Sequence, residues 1–356
     1  MTTIDYTPAS LSPAQPPADR DPATWKPVTV PEPSILDDPQ YPQQWSEYIG
    51  QEKAKRQLRL AAASAKARGV SMPHVLLACG LHGIGKTALA GLVAREMGTQ
   101  VKVITGQTSV DKMRKLLVGM ADGDVIFYDE IHQAVKGGAA KGEWMLHYLQ
   151  DGVLLGPLGP MDVPAVTIIG ATTEIGKLPP TIISRFLIPP LAGYQLGEAA
   201  LIAERMTSGI FTSCGLPLPC WEVLVAVARA GNCNPRAMRH ILSTVRDIAV
   251  VEGHANDAGY DLAMTLDMLE VTEDGLNLTM RRYLTVLHGS FDGAAGASTL
   301  ASVMSEPGGL AEAERVLQQK GLITLTPRGR LLTDAGVRRA HVLGQAVAGL
   351  STENGR

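Results

Sequence analysis

Gly80, Leu81, His82, Gly83, Ile84, Gly85, Lys86 and Thr87 form an uninterrupted G-x-x-x-x-G-K-[ST] sequence. That pattern belongs to a loop that wraps backbone N–H groups around phosphate oxygens. Glycine at 80, 83 and 85 lets the chain turn sharply and approach an anion closely. Lys86 offers a counter-charge to the β- and γ-phosphates, and Thr87 a hydroxyl ligand for Mg²⁺. Ile84 and Ala88 lie between and beyond these groups and complete the phosphate cradle. A helix starting at Lys86 would add its positive dipole end. Further on, the apolar run Val125-Ile126-Phe127-Tyr128 closes on Asp129-Glu130. A carboxylate at the tip of a buried strand suits Mg²⁺, which assigns the metal to Asp129 with Thr87. Its neighbour Glu130 can polarise an attacking water.

Other candidates are less specific. Val166–Thr173 reads as a strand beside 125–128, and a polar residue at its tip would point at the γ-phosphate; Thr173 is the first choice and Thr172 the rival. Arg185 (in Ile183-Ser184-Arg185-Phe186) and Arg236 (in Asn234-Pro235-Arg236) could each sense a γ-phosphate, in cis or from a neighbouring subunit. Read alone, each is a surface arginine. The chain lacks N-K-x-D and D-x-x-G, the guanine-associated signals, which favours ATP. His82 and His132 read as positional fillers. Cys79, Cys214, Cys220 and Cys233 show no C-x-x-C spacing and read as small buried hydrophobes in a reducing compartment.

These groups need a scaffold. Short apolar runs alternate with helical stretches from Gln51 to Gly170, the signature of a parallel sheet wound on both faces. After Tyr194 the pattern turns helical, over 195–213, 219–230, 234–253 and 258–270, with Asn234-Pro235 as a start signal. Helices over 276–288, 298–304 and 310–320 then precede strands 322–326 and 331–333 around a Pro327-Arg328-Gly329-Arg330 turn, the outline of a winged helix. Residues 1–40 carry nine prolines and little apolar periodicity, which predicts a disordered acidic tail.

The net charge of −3 hides an uneven distribution: residues 1–50 carry −5 and residues 315–339 carry +5. A basic segment can meet a phosphate backbone, although a solvated helix face is the plainer reading. Neither a signal peptide nor a membrane-spanning run is evident, which predicts a cytoplasmic protein.

The order of phosphate loop, Asp-Glu strand, Gly-Ala-Thr-Thr strand, Ser-Arg-Phe and Asn-Pro-Arg resembles the AAA+ ATPases. Tyr48-Ile49-Gly50-Gln51, His74-Val75-Leu76-Leu77, Asp124–His132, Ile169–Thr173 and Thr326-Pro327-Arg328-Gly329-Arg330 resemble the RuvB family of Holliday-junction branch-migration motors, from about Trp45 to about Gly336. The resemblance implies an α/β AAA+ parallel-sheet ATPase domain (41–193), a small helical lid (194–272) and a C-terminal winged-helix domain (273–340), between the tail 1–40 and a C-terminal tail 341–356. It implies ATP and Mg²⁺ as cofactors, a hexameric ring, and duplex or branched DNA as partner. It places Tyr48, Ile49 and Tyr194 around adenine, Pro235 and Arg236 at a second sensor, Thr173 at the first, and Arg185 as a finger acting in trans. Arg328 and Arg330 become DNA contacts.

The sequence departs from the family at several points. Leu81 and His82 replace two prolines, Glu174 replaces an arginine, and Ile183 and Ser184 replace an arginine and an aspartate before Arg185. The hairpin that docks on the junction-binding partner RuvA is shortened to about 151–165 and lacks its arginine-containing stretch, so the resemblance does not extend to that partner. Two other readings share these residues: a clamp-loader or helicase-loader AAA+ switch, and a structural DNA-binding subunit that holds ATP without useful turnover.

Overall fold

The computed structural model describes residues 41–353 except 100, 136–138, 157–158, 253–261, 291–293 and 306–309; the expected tail 1–40 lies outside the described residues. Glu52–Arg68 (α1) buries Ala54, Leu58, Ala62 and Ala65, which recur at helical spacing. Strands and helices then alternate as Val75–Ala78 (β1), Lys86–Met97 (α2), Val101–Thr105 (β2), Val110–Val118 (α3), Val125–Asp129 (β3) and Ala139–Asp151 (α4). Val153–Gly156 (β4) and Gly159–Asp162 (β5) pair as an antiparallel hairpin. Thr167–Thr172 (β6) and the short helix Pro180–Ile183 (α5) follow.

The strands β1, β6, β3 and β2 lie side by side in that order, all parallel. Every residue of β6 is buried, because helices cover both faces of the sheet. One face packs on α1 and α2 through Leu58, Leu77, Leu89, Phe127 and Ile169. The other packs on α3 and α4 through Met113, Leu117, Ile126, Met145 and Ile168. The register sets Val125 against Thr167 and Phe127 against Ile169, so strand 125–128 does lie beside 166–173. This order brings three strand ends together at the carboxyl edge of the sheet, where ligands of such folds bind. Outside β1, Leu187 bridges to Val75 and anchors the segment that carries Arg185.

Leu196–Phe211 (α6), Trp221–Ala230 (α7), Pro235–Glu252 (α8) and Leu262–Met268 (α9) share a second core around Ala203, Phe211, Leu224, Val227, Met238 and Leu242. Glu198 opens α6 by accepting the Gln195 N–H at 2.9 Å. Asn234 opens α8 by accepting the Arg236 N–H at 3.0 Å, with Pro235 at the first helical position. Ile84 of the phosphate loop belongs to this core, which ties the helical unit to the nucleotide loop.

The last unit contains Leu278–Ser290 (α10), Ala297–Met304 (α11), Leu310–Gln319 (α12), Ile323–Thr326 (β7), Gly329–Leu332 (β8) and Asp334–Glu353 (α13). Leu284, Leu300, Leu317 and Ile323 fill its core. One expectation is corrected. The turn is Pro327-Arg328 alone: Gly329 already pairs with Thr326, and Arg330 with Leu325. Gly329 has φ +131°, and a Cβ there would sit 2.5 Å from the Ala295 carbonyl oxygen, so the strand begins where only glycine fits. Helix α13 runs on past residue 340, and its Ala340 and Leu343 join this core. No helix among the described residues is long and apolar enough to cross a membrane.

Candidate active site

The phosphate loop bridges the end of β1 and the start of α2. Gly83 (φ +70°) and Gly85 (φ +93°) hold conformations that side chains disfavour. A Cβ at Gly83 would meet Asn234 Oδ1 at 2.6 Å, and one at Gly85 the Tyr48 hydroxyl at 2.7 Å. Gly80 is under neither constraint. Asn234 Nδ2 also donates to the His82 carbonyl at 2.7 Å, so the helical unit sits directly on the loop. Lys86 Nζ donates to the Leu81 carbonyl at 3.1 Å. Burial pushes its ammonium below the ordinary lysine value, while the nearby Glu130 and Asp129 carboxylates pull it back.

Beside the loop lies a cavity of about 500 Å³, a size usual for small-molecule sites. Tyr48, Ile49, Gly83, Ile84, Gly85, Lys86, Thr87, Ala88, Asp129, Glu130, Tyr194, Pro235 and Arg236 all line it. Arg239, one helical turn beyond Arg236, lines it as well and was not singled out from sequence. The Tyr48 and Tyr194 hydroxyls lie 3.2 Å apart, and each is within 3.2 Å of the Ile84 carbonyl. Burial raises the pKa of both phenols, which keeps this wall uncharged.

At the tip of β3, Asp129 Oδ1 accepts the Glu130 N–H at 3.1 Å. Glu130 has φ +48°, a left-handed conformation that is unusual for a side-chain-bearing residue. A Cβ at Gly106 would lie 2.5 Å from the Glu130 carbonyl, so that crossing requires glycine. The two threonines at the tip of β6 separate clearly. Thr173 Oγ1 donates to the Glu130 carboxylate at 3.3 Å, and its N–H lies 3.4 Å from Glu130 Oε2. Thr172 is fully buried, with its hydroxyl 3.0 Å from His132 Nδ1. His132 itself is buried between Glu130 and Glu174, 3.1 and 3.2 Å away, rather than filling space. The only sequence signal for this was its position two residues after Glu130.

Arg185 does not line the cavity of its own chain. Its guanidinium donates to Gln150 Oε1 at 2.5 Å and to the Thr181 carbonyl. Gly80 and Thr173 also stand outside the lining, Thr173 reaching it through Glu130.

The basic segment 315–339 is largely consumed within the chain. Arg315 on α12 donates to the Gly80 carbonyl. Lys320 donates to the Asp274 carbonyl at 2.5 Å, and Arg339 pairs with the Asp274 carboxylate at 2.6 Å. Arg330 forks onto Glu314 at 2.8 and 3.0 Å, and Glu314 also accepts from the Tyr283 hydroxyl at 3.0 Å. Arg330, expected as a DNA contact, is thus held by Glu314 within the chain. Its place in β8, rather than in the turn, aims it at α12. Arg328 at the turn and Arg338 on α13 remain exposed.

Arg330→Ala should cost about 3 kcal/mol of stability, because the 10%-exposed Glu314 carboxylate loses its counter-charge. A fall in melting temperature checks this; an unchanged one would show that the pair contributes nothing.

The parallel sheet, the loop between β1 and α2, the Asp129-Glu130 tip and the helical unit closing over the loop define an AAA+ ATPase. Residues 40–190 match the model of the Holliday junction DNA helicase RuvB P-loop domain, and residues 273–340 that of the RuvB C-terminal winged helix domain. The solved Thermotoga maritima RuvB Holliday junction branch migration motor is 29% identical, with a TM-score of 0.74 over 85% of this chain and 98% of that one. An Ala-to-Ser mutant of the same RuvB is 30% identical with the same TM-score and coverage. The chain belongs to the RuvB family.

Proposed function

We propose that this chain is an ATP-driven motor that moves duplex or branched DNA, as in branch migration. The observation that carries the proposal is the convergence of Lys86, Thr87, Asp129, Glu130 and Arg236 on one cavity, in a chain that also bears a winged helix with an exposed arginine at its turn. Tyr48, Ile49 and Tyr194 form the wall for adenine, and the loop from Gly80 to Ala88 holds the phosphates. Thr87 and Asp129 offer two hard oxygen donors on the same cavity wall, which suits Mg²⁺. That ion, when bound, neutralises charge on the β- and γ-phosphates. Glu130 polarises the attacking water, Thr173 orients Glu130, and Arg236 meets the γ-phosphate from the lid. Arg185, turned away from its own cavity, completes the site of the next subunit, which requires a head-to-tail neighbour; a closed hexameric ring is the assembly proposed. Residues 41–193, 194–272 and 273–340 act as ATPase, lid and DNA-binding units in the cytoplasm. The β4–β5 hairpin is short, so the proposal does not extend to docking on RuvA.

Steady hydrolysis of ATP that rises with added duplex tests the motor reading. A single turnover per DNA-bound complex, followed by release, would instead identify a loader.

Two substitutions probe the parts. Lys86→Ala should weaken binding of a fluorescent ATP analogue by about a hundredfold, since a charge-assisted contact to two phosphates is lost; unchanged affinity would remove the loop from the account. Arg328→Ala should weaken duplex binding similarly for all sequences and lower the salt slope by about one. A slope equal to that of the parent chain would exclude the wing as a phosphate contact.

A further inference from the structure

We propose that His132 and Glu174 are positioning residues for ATP hydrolysis: Glu174 seats the His132 ring, and His132 holds the Glu130 carboxylate in place. The inference rests on the role given to Glu130 above. His132 is only 4% exposed, yet both its ring nitrogens face polar partners. Nδ1 lies 3.1 Å from Glu130 Oε2 and 3.0 Å from Thr172 Oγ1, while Nε2 lies 3.2 Å from Glu174 Oε2. Glu174 is itself fixed at both ends. Its N–H donates to Thr172 Oγ1 at 3.0 Å, and its carboxylate pairs with Lys177 at 2.6 Å. A continuous chain of contacts thus runs from the surface at Lys177, through Glu174 and His132, to Glu130 at the cavity.

A buried imidazole with no task beyond packing needs one partner for its N–H. This one is gripped from both sides, and one grip is the group that must face the water. Thr173 holds Glu130 at 3.3–3.4 Å, a long contact that leaves the carboxylate free to swing about its own side chain. The His132 contact is the shorter of the two and comes from the opposite strand-tip turn, so the pair together fixes the plane of the carboxylate. Because Glu130 already holds a left-handed backbone, its side chain leaves the strand at an angle that this scaffold alone sets. Glu174 is the element specific to this chain: the resemblance places an arginine there, which could not accept a hydrogen bond from the Nε2 side.

The test is steady-state ATP hydrolysis by the full chain with duplex and Mg²⁺. His132→Ala should lower kcat by about ten- to a hundredfold, the cost of a carboxylate misplaced by roughly an ångström, with KM and ATP-analogue binding unchanged. His132→Asn should recover part of that loss, because its amide nitrogen can stand near the Nδ1 position. Glu174→Ala, at a half-exposed site, should lower kcat several-fold in the parent chain, because the polar contact that seats the ring at Nε2 is lost. It should have no further effect in the His132→Asn background, where nothing remains for Glu174 to seat. Parental kcat in Glu174→Ala, or an undiminished Glu174→Ala effect in that background, overturns the proposal even if His132→Ala fails to fold. A Glu130→Gln control separates the failures: if it turns over normally, the role of Glu130 is wrong; if it is inactive while His132→Ala is not, only the positioning role is lost.

Discussion

Glu130→Gln is expected to bind ATP as tightly as the parent chain and to hydrolyse it about a hundred- to ten-thousandfold more slowly. Binding should survive because the phosphate contacts come from the loop and Lys86, and glutamine keeps the volume and one oxygen of glutamate. Turnover should fail because an amide cannot draw the proton from an attacking water. The geometry sharpens the expectation. Thr173 Oγ1 and His132 Nδ1 both face the carboxylate, so glutamine can keep these contacts and hold the same place while losing only the basic oxygen. Phosphate release and analogue binding measured on the same preparation decide the matter. Turnover near that of the parent would mean that another group polarises the water.

The second large effect concerns Arg185. Arg185→Ala should leave ATP binding intact and lower hydrolysis by about a thousandfold or more, the usual worth of an arginine delivered to a phosphoryl transition state. The chain's own cavity contains no part of Arg185, whose guanidinium rests on Gln150 and Thr181. If the finger acts across a subunit boundary, two inactive variants can repair each other. A subunit with intact Glu130 but lacking Arg185 becomes active when its neighbour supplies the arginine and lacks only Glu130. Random mixing of Arg185→Ala and Glu130→Gln in equal amounts should then restore roughly a quarter of the parental rate, since about one interface in four is complete. No recovery across any mixing ratio would place Arg185 in a structural role within its own chain.

Much of this arrangement is legible in the residues. The loop, the strand ending in Asp129-Glu130 and the strand ending in Thr172-Thr173 are continuous stretches whose periodicity and end groups reveal both element and chemistry. Their meeting at one edge follows from the rules of parallel sheets. Which of Thr172 and Thr173 contacts Glu130 is not legible, because neighbouring residues at a strand tip point to opposite sides and the sequence does not say which side faces the site. The contacts of His132 are hidden for a related reason: its partners Thr172 and Glu174 come from another strand tip, and no local pattern joins them. The charge of 315–339 is a different case. Counting residues does not reveal that Glu314 and Asp274 meet Arg330 and Arg339 in the fold and offset two of these charges. Similarly, Gly329 marks the start of β8 only because the Ala295 backbone crosses there, a contact between segments far apart along the chain.

The central claim is that ATP turnover in this chain drives movement along a double helix. Displacement of a third strand from the far end of a triplex-capped duplex measures that movement directly. With ATP and Mg²⁺ the parent chain should release the third strand, and Glu130→Gln should leave it in place under the same conditions. Hydrolysis that is stimulated by the duplex while the third strand stays bound would contradict the account.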